Sequence, residues 1–400
     1  MLEGKTIFII SLMKFDGLPS TNFTIAKHLA KSNQVFYIDH PFTIKDYFQQ
    51  KGTGSFLKRK PKFSPFSDGI IPTENPNLKI VISPPVLPIN WLPEGIVYRF
   101  FAEINESIVL NRIRKVIKKN KVKDYIFINF FEFHYPTIGQ KLSAKLNVYY
   151  CVDPIIVPYD QKHGLASERQ IIDISDLVIC TSKALYEEKK CINPNTYFIP
   201  NAADIVHHQT ALDSNLKLHP SIKDIPKPII GFVGYLERRT DFDLLKTVIL
   251  AQSDKSFVFA GPIAAEYTPD WFHELENIYC LGNIPYSELP QVLKGFDLCM
   301  IPFKKDKVSS NIFPLKLFEY LGAGKSVLST NFNPDLKSYT EESVVYCDDA
   351  ASFSKSLDEL LLVSPSKIDY NLSIAQKNTW EIRVQELQTL ISKFLDKQNS

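Results

Sequence analysis

Short unbroken apolar runs alternate along this chain with longer stretches in which apolar residues recur every three to four positions. The runs at 6–11, 34–38, 78–82, 125–130, 147–151, 177–180 and 197–199 read as strands buried on both faces, the pattern of a parallel sheet. Between them, 21–31, 103–119, 137–146, 167–174 and 183–190 carry helical periodicity. A second series follows, with strands at 229–233, 256–260, 278–281, 298–301, 326–329 and 344–346. Alternation of this kind predicts an α/β protein with two doubly wound parallel sheets. The Pro-rich stretch 43–91 reads as an elaborated loop. The expected plan is a first domain over 1–205, a polar linker over 206–228, a second domain over 229–378 and a final helix over 379–400. In that helix Ile382, Leu387, Leu390, Ile391 and Phe394 form an apolar stripe. Sheets of this type bind ligands beyond their strand C-terminal ends, so the chemistry is expected in a cleft between the two domains, with a hinge.

The most informative segment is 314–330, PLKLFEYLGAGKSVLST. Pro314 suits a helix start, while Gly322 and Gly324 supply the stop. Leu315, Phe318 and Leu321 can face a core, and Lys316 and Glu319 share another face. A helix start offers unpaired N–H groups and a positive dipole end to an anion. One turn along, Glu319 can accept two hydrogen bonds from a vicinal diol such as a ribose. Phosphate at the mouth and ribose beside it form the footprint of a nucleotide.

This segment resembles the donor-binding helix of GT-B glycosyltransferases of the family-4, or group 1, type, in which a Glu at the position of Glu319 holds the ribose. Around it GFVGYL at 231–236, SFVFAGP at 256–262, NIYCLG at 277–282 and FDLCMIPF at 296–303 follow the family's order. Upstream, DLVICTS at 176–182 and IPNAAD at 199–204 are similar to the segments that close its first domain. The nearest branch in character is that of capsular and teichuronic-type surface polysaccharides. The resemblance implies a GT-B fold of two Rossmann-like domains. The activity it implies is transfer of a sugar from a nucleoside-diphosphate sugar to a saccharide or lipid-linked acceptor, with retention and without a metal. The alternative is a catalytically inactive relative that binds nucleotide sugar or glycan.

A departing nucleoside diphosphate must have its negative charge neutralised, by a metal or by fixed cations and N–H dipoles. The cation candidates are Lys316, Arg238 and Arg239, the arginines lying in the turn after Gly234, with the choice between them open. Leu315 and Gly234 complete the donor side. Asn311 stands eight residues before Glu319, where the family has an acidic residue; it can hydrogen-bond sugar hydroxyls or cap the helix. Asp241-Phe-Asp243 has the D-x-D form of a metal signature, but Asp241 is placed to cap a helix, so no metal is expected. In the first domain Gly17 sits in the turn after the first strand, where relatives approach donor phosphate or acceptor. His134 and Asp153 follow strands and are the candidates to orient or deprotonate an acceptor hydroxyl, against the plainer readings of a structural histidine and a turn aspartate. His207-His208 lies in the expected linker and reads as solvated.

Composition sharpens this only in part. At 400 residues and 44% apolar content the chain exceeds one ordinary domain and is not a disordered one. The apolar run 7–12 is too short for a membrane span or signal peptide, and six scattered cysteines without a C-x-x-C pair suit core thiols in a reducing cytosol. Net charge is +2 overall, yet the first 150 residues hold 21 Lys and Arg against 11 Asp and Glu. No nucleic-acid motif accompanies the basic clusters. With Phe48, Phe56, Phe63 and Phe66 interleaved among lysines, peripheral contact with an anionic membrane is the partner the charge suggests, against a plain solvated face. The expected setting is cytoplasmic, at the inner face of the cell membrane.

Overall fold

The computed structural model describes residues 2–17, 20–362 and 367–399. The chain forms two compact units, one of residues 1–200 with 384–400 and one of residues 201–383.

The first unit holds an eight-stranded sheet: β1 (Thr6–Ser11), β2 (Gln34–Ile38), β3 (Ile70–Pro72), β4 (Leu78–Val81), β5 (Ile126–Phe130), β6 (Leu146–Cys151), β7 (Leu177–Cys180) and β8 (Thr196–Phe198), in the order β3-β4-β2-β1-β5-β6-β7-β8. All pairs are parallel except β3 with β4. Ile7 to Ile10 and Val35 to Ile38 are wholly buried, as a central parallel strand covered on both faces requires. β3 lies outside the expected strands; it is a three-residue edge piece ending in Pro72, a position where a missing N–H is tolerated.

The second unit carries β9 (Ile229–Val233), β10 (Ser256–Ala260), β11 (Ile278–Gly282), β12 (Leu298–Ile301), β13 (Val327–Thr330) and β14 (Val344–Cys347), in the order β11-β10-β9-β12-β13-β14. This is the doubly wound 3-2-1-4-5-6 arrangement, and β4-β2-β1-β5-β6-β7 repeats it in the first unit. The strand order reverses between β9 and β12 in one sheet and between β1 and β5 in the other. Those two switch points are where such sheets open for a ligand.

Three expectations change. The stretch 43–91 is not a loop: besides β3 and β4 it folds helices Ile44–Gln49 and Gly54–Arg59, both capped by threonines. Their packing buries Phe56 and Phe63 and leaves only Phe48 and Phe66 of the four expected aromatics exposed. The 206–228 segment is not a bare linker, because helix Ile205–Gln209 and a following 3-10 turn Thr210–Leu212 belong to the second unit. The final helix runs Trp380–Asn399, and the chain from Val384 onward groups with the first unit. Cys151, Cys180, Cys299 and Cys347 are buried, whereas Cys191 and Cys280 are exposed. No helix among the described residues is long and apolar enough to cross a membrane.

Candidate functional site

At the switch point of the second unit, β9 and β12 pair only through Ile230 with Leu298 and Gly231 with Cys299, and then separate. The Tyr320 hydroxyl fills the split: it accepts the Val233 N–H at 2.8 Å and donates to the Val233 carbonyl at 3.2 Å. Tyr320 belongs to the helix Leu315–Gly322, which buries Leu317, Phe318, Tyr320 and Leu321 and has no side chain capping its start. Packing of that apolar face turns Lys316 and Glu319 together toward the strand end, one turn apart.

Lys316 lies with its Nζ 3.8 Å from the centre of the Phe232 ring and 5.2 Å from that of Phe303. Burial drives its pKa down, Arg239 adds to this, and the Glu319 charge opposes it, leaving the ammonium poised at about 7. Gly234 makes the room. Its φ of +135° is open to glycine, and a Cβ there would stand 2.5 Å from Lys316 Nζ. The two arginines that the sequence leaves undecided differ in their partners. Arg239 Nε is bonded to Glu237, and its guanidinium lies over the Phe303 ring. Arg238 has Nε and Nη2 buried with no hydrogen-bond partner. A buried, unsatisfied guanidinium is costly, and an anion is the group that would satisfy it.

Glu319 retains 19% exposure, and its Oε1 lies 3.6 Å from His208 Nε2. Burial would raise its pKa, but His208 and Lys316 hold the carboxylate below its usual range. His208 is therefore a correction to the reading of His207-His208 as solvated: it is fully buried. Asp204 caps the helix Ile205–Gln209, and that helix packs on Leu315–Gly322, with His208 close to Gly322. His207 stacks on Tyr286 at 4.3 Å and bonds its backbone carbonyl. Sequence inspection missed this pair because its polar surroundings hid the one buried face of a short helix; the Asp204 cap was the available signal.

Asn311 does not cap the helix, since Pro314 holds that position. It ends a 3-10 turn Ser309–Asn311, and its side-chain amide donates to the Lys307 carbonyl. Leu315 is half-buried at the helix start. Asp241 caps helix Phe242–Ala251 by accepting the Leu244 N–H at 3.0 Å, which accounts for the D-x-D.

In the first unit, Gly17 closes a turn through its N–H to the Lys14 carbonyl at 3.2 Å, with an ordinary backbone φ rather than the left-handed one that would demand glycine. The preceding Asp16 pairs with Arg59 at 2.6 Å, and Arg59 also holds Asp39 at 2.7 Å. His134 follows β5 and bonds Glu132 through Nδ1 at 2.7 Å; His40, after β2, bonds the other oxygen of Glu132 at 2.7 Å. Asp153 is exposed in the bend beyond β6 and takes no part in either bond. The metal-ligating atoms of His40, Glu132 and His134 lie within 4.8 Å of one another. Glu132 and His40 were missed because Glu132 sits among aromatics and His40 is 92 residues away in sequence.

Residues 227–362 match the family described as glycosyl transferases group 1. A putative teichuronic acid biosynthesis glycosyltransferase, TuaH of Bacillus subtilis (strain 168), is 27% identical over 212 residues, covering 49% of this chain and 53% of that protein. The match thus spans about half the length of the curated relative. Among solved structures, sucrose-phosphate synthase from Thermosynechococcus elongatus superposes with a TM-score of 0.66 at 14% identity, over 98% of this chain and 100% of that one. Anabaena Alr3699/HepE in complex with UDP gives 0.64 at 13% identity, over 97% and 100%. The fold is GT-B, and the second unit carries the group 1 signature that the sequence suggested.

Proposed function

We propose that this chain, whose second unit matches the group 1 glycosyl transferases, moves a sugar from a nucleoside-diphosphate sugar to a saccharide or lipid-linked acceptor in surface-polysaccharide assembly. One observation carries the reading: Lys316 lies against Gly234 within the field of Glu319 and Arg239, and in the same turn Arg238 keeps two buried nitrogens without a hydrogen bond. In this reading Lys316, Arg238 and Arg239 take the diphosphate oxygens, and Glu319 accepts the ribose hydroxyls. As the glycosidic bond to the donor phosphate breaks, these fixed cations neutralise the growing charge without a metal. Leu315 and Asn311 line the donor side, and Gly17 is counted with the donor-binding residues. Retention requires no protein nucleophile, because the departing phosphate oxygen can take the acceptor proton; His134 and Asp153 orient the acceptor hydroxyl.

The Asn311 amide supports a second reading. Tied to Lys307, it brings no charge to an oxocarbenium-like centre, which suits a relative that binds nucleotide sugar without transferring it. Release of nucleoside diphosphate from a donor and acceptor panel separates the two. Binding of UDP, GDP, TDP and CMP by calorimetry identifies the base. Glu319→Ala is expected to raise the donor KM about 10- to 100-fold, the loss of one or two hydrogen bonds to a charged group, with Tm nearly unchanged. Unchanged donor kinetics would remove Glu319 from the site. The setting proposed is cytoplasmic, at the inner membrane face, where exposed Phe48, Leu57 and Phe66 beside Lys51, Lys58 and Lys60 suit anionic headgroups.

A further inference from the structure

In the first unit one carboxylate holds two imidazoles. Glu132 has no exposed side-chain surface, while His40 and His134 keep 27% and 31% of theirs, with ring centres 5.8 Å apart. Glu132 Oε1 accepts both Nδ1 and the backbone N–H of His134, the latter at 3.1 Å, and Oε2 meets His40 Nδ1. The loop itself is braced: Asn129 accepts the Glu132 N–H at 2.8 Å and donates to its carbonyl at 3.0 Å, around Phe131 at a φ of +56°. A non-glycine residue is held in the left-handed region where surrounding bonds over-determine it. An ionised carboxylate only accepts hydrogen bonds, so both Nδ1 atoms are donors and both Nε2 atoms are left to act elsewhere. Asp39 and Lys14 also face His40, with Arg59 compensating Asp39; Tyr37 and Tyr135 lie within the field of Glu132.

We propose that Glu132 is a positioning residue that locks His134 and His40 as a pair of Nδ1–H imidazoles, presenting two Nε2 atoms to the hydroxyl groups of a sugar ligand on the first unit. The proposal rests on the glycosyltransferase reading for its ligand class, not for its geometry. Each Nε2 accepts a hydrogen bond from a ligand hydroxyl and fixes its direction, and the O–H bond stays intact at the histidine.

Glu132→Gln provides the test, because it preserves shape while changing one oxygen acceptor into an N–H donor. The amide can accept from one ring only, so the other must give up its Nδ1 proton and carry it on Nε2. Long-range 1H–15N NMR of the histidine-labelled full chain at about pH 8, with His40→Gln and His134→Gln for assignment, reads both tautomers directly. The expected result is Nδ1–H in both rings of the wild type and one reversed ring in Glu132→Gln. The same variant should lower kcat about 10- to 100-fold, as misorientation of a reacting hydroxyl does. Its nucleoside-diphosphate affinity should stay within about twofold, a readout that isolates the second unit. An unprotonated Nδ1 in either wild-type ring, or unchanged tautomers in Glu132→Gln, overturns the proposal. So does a stoichiometric divalent ion whose removal by chelator moves both ring signals. Loss of all nucleotide binding in the wild type would instead sink the functional reading while leaving the tautomer result standing.

Discussion

The two units repeat one strand order but hold the charges at their strand ends differently. In the first, three deep charges have counter-charges within reach, while buried Arg112 is held by backbone carbonyls instead. Arg59, with no exposed surface, is shared by Asp16 and Asp39, Lys189 is paired with Glu168 at 2.8 Å, and Glu132 is flanked by two histidines. In the second, Lys316 rests on aromatic rings and Arg238 has two unsatisfied nitrogens. A contact ion pair stabilises or positions, whereas buried guanidinium nitrogens without hydrogen bonds cost stability until an acceptor arrives. The same topology thus carries contact ion pairs in one unit and, in the other, the cations for which an anion is proposed.

The largest expected effect breaks the first half of this contrast. Arg59→Met leaves two carboxylates without their cation and is expected to destabilise the protein by about 3–5 kcal/mol, read by urea unfolding. Arg238→Met should do the reverse: unfolding free energy unchanged or raised, with diphosphate affinity reduced at least about tenfold by calorimetry. Equal losses of stability in both variants would erase the distinction.

A finer probe uses Lys316, whose folded pKa is depressed to about 7. The free ammonium is charged below that pH and neutral above it, while a bound diphosphate favours the charged form. Nucleoside-diphosphate affinity should therefore fall as pH rises above about 7, by up to tenfold per unit, with uptake approaching one proton per ligand. Calorimetry in two buffers of different ionisation heat measures that proton, and Lys316→Met should abolish it. The smallest effect concerns the basic, aromatic surface of the first unit. Vesicles rich in anionic lipid are expected to sediment a fraction of the protein at low salt and release it at high salt. Recovery wholly in the supernatant at low salt would leave that surface merely solvated.

Buried parallel strands were readable because they must be continuously apolar, as 229–233 and 298–301 are. The helix carrying Lys316 and Glu319 was readable because Pro and Gly mark its ends and its apolar spacing fixes which face is buried. Helix Ile44–Gln49 was not readable: it has no buried residue and is held by the Thr43 cap and its bond to Asp46, a signal lost among prolines. The depth of His208 and the pairing of His40 with Glu132 were equally out of reach, since both depend on contacts between segments far apart in sequence. Local pattern reports which side of an element is covered, but not which distant residue covers it.

The Tyr320 phenol has a consequence of its own. By occupying both backbone groups of Val233, it ties the end of β9 to the helix bearing Lys316 and Glu319. Loss of that hydroxyl would leave a buried N–H and carbonyl without partners at the end of β9, so the strand end and the helix are expected to loosen together.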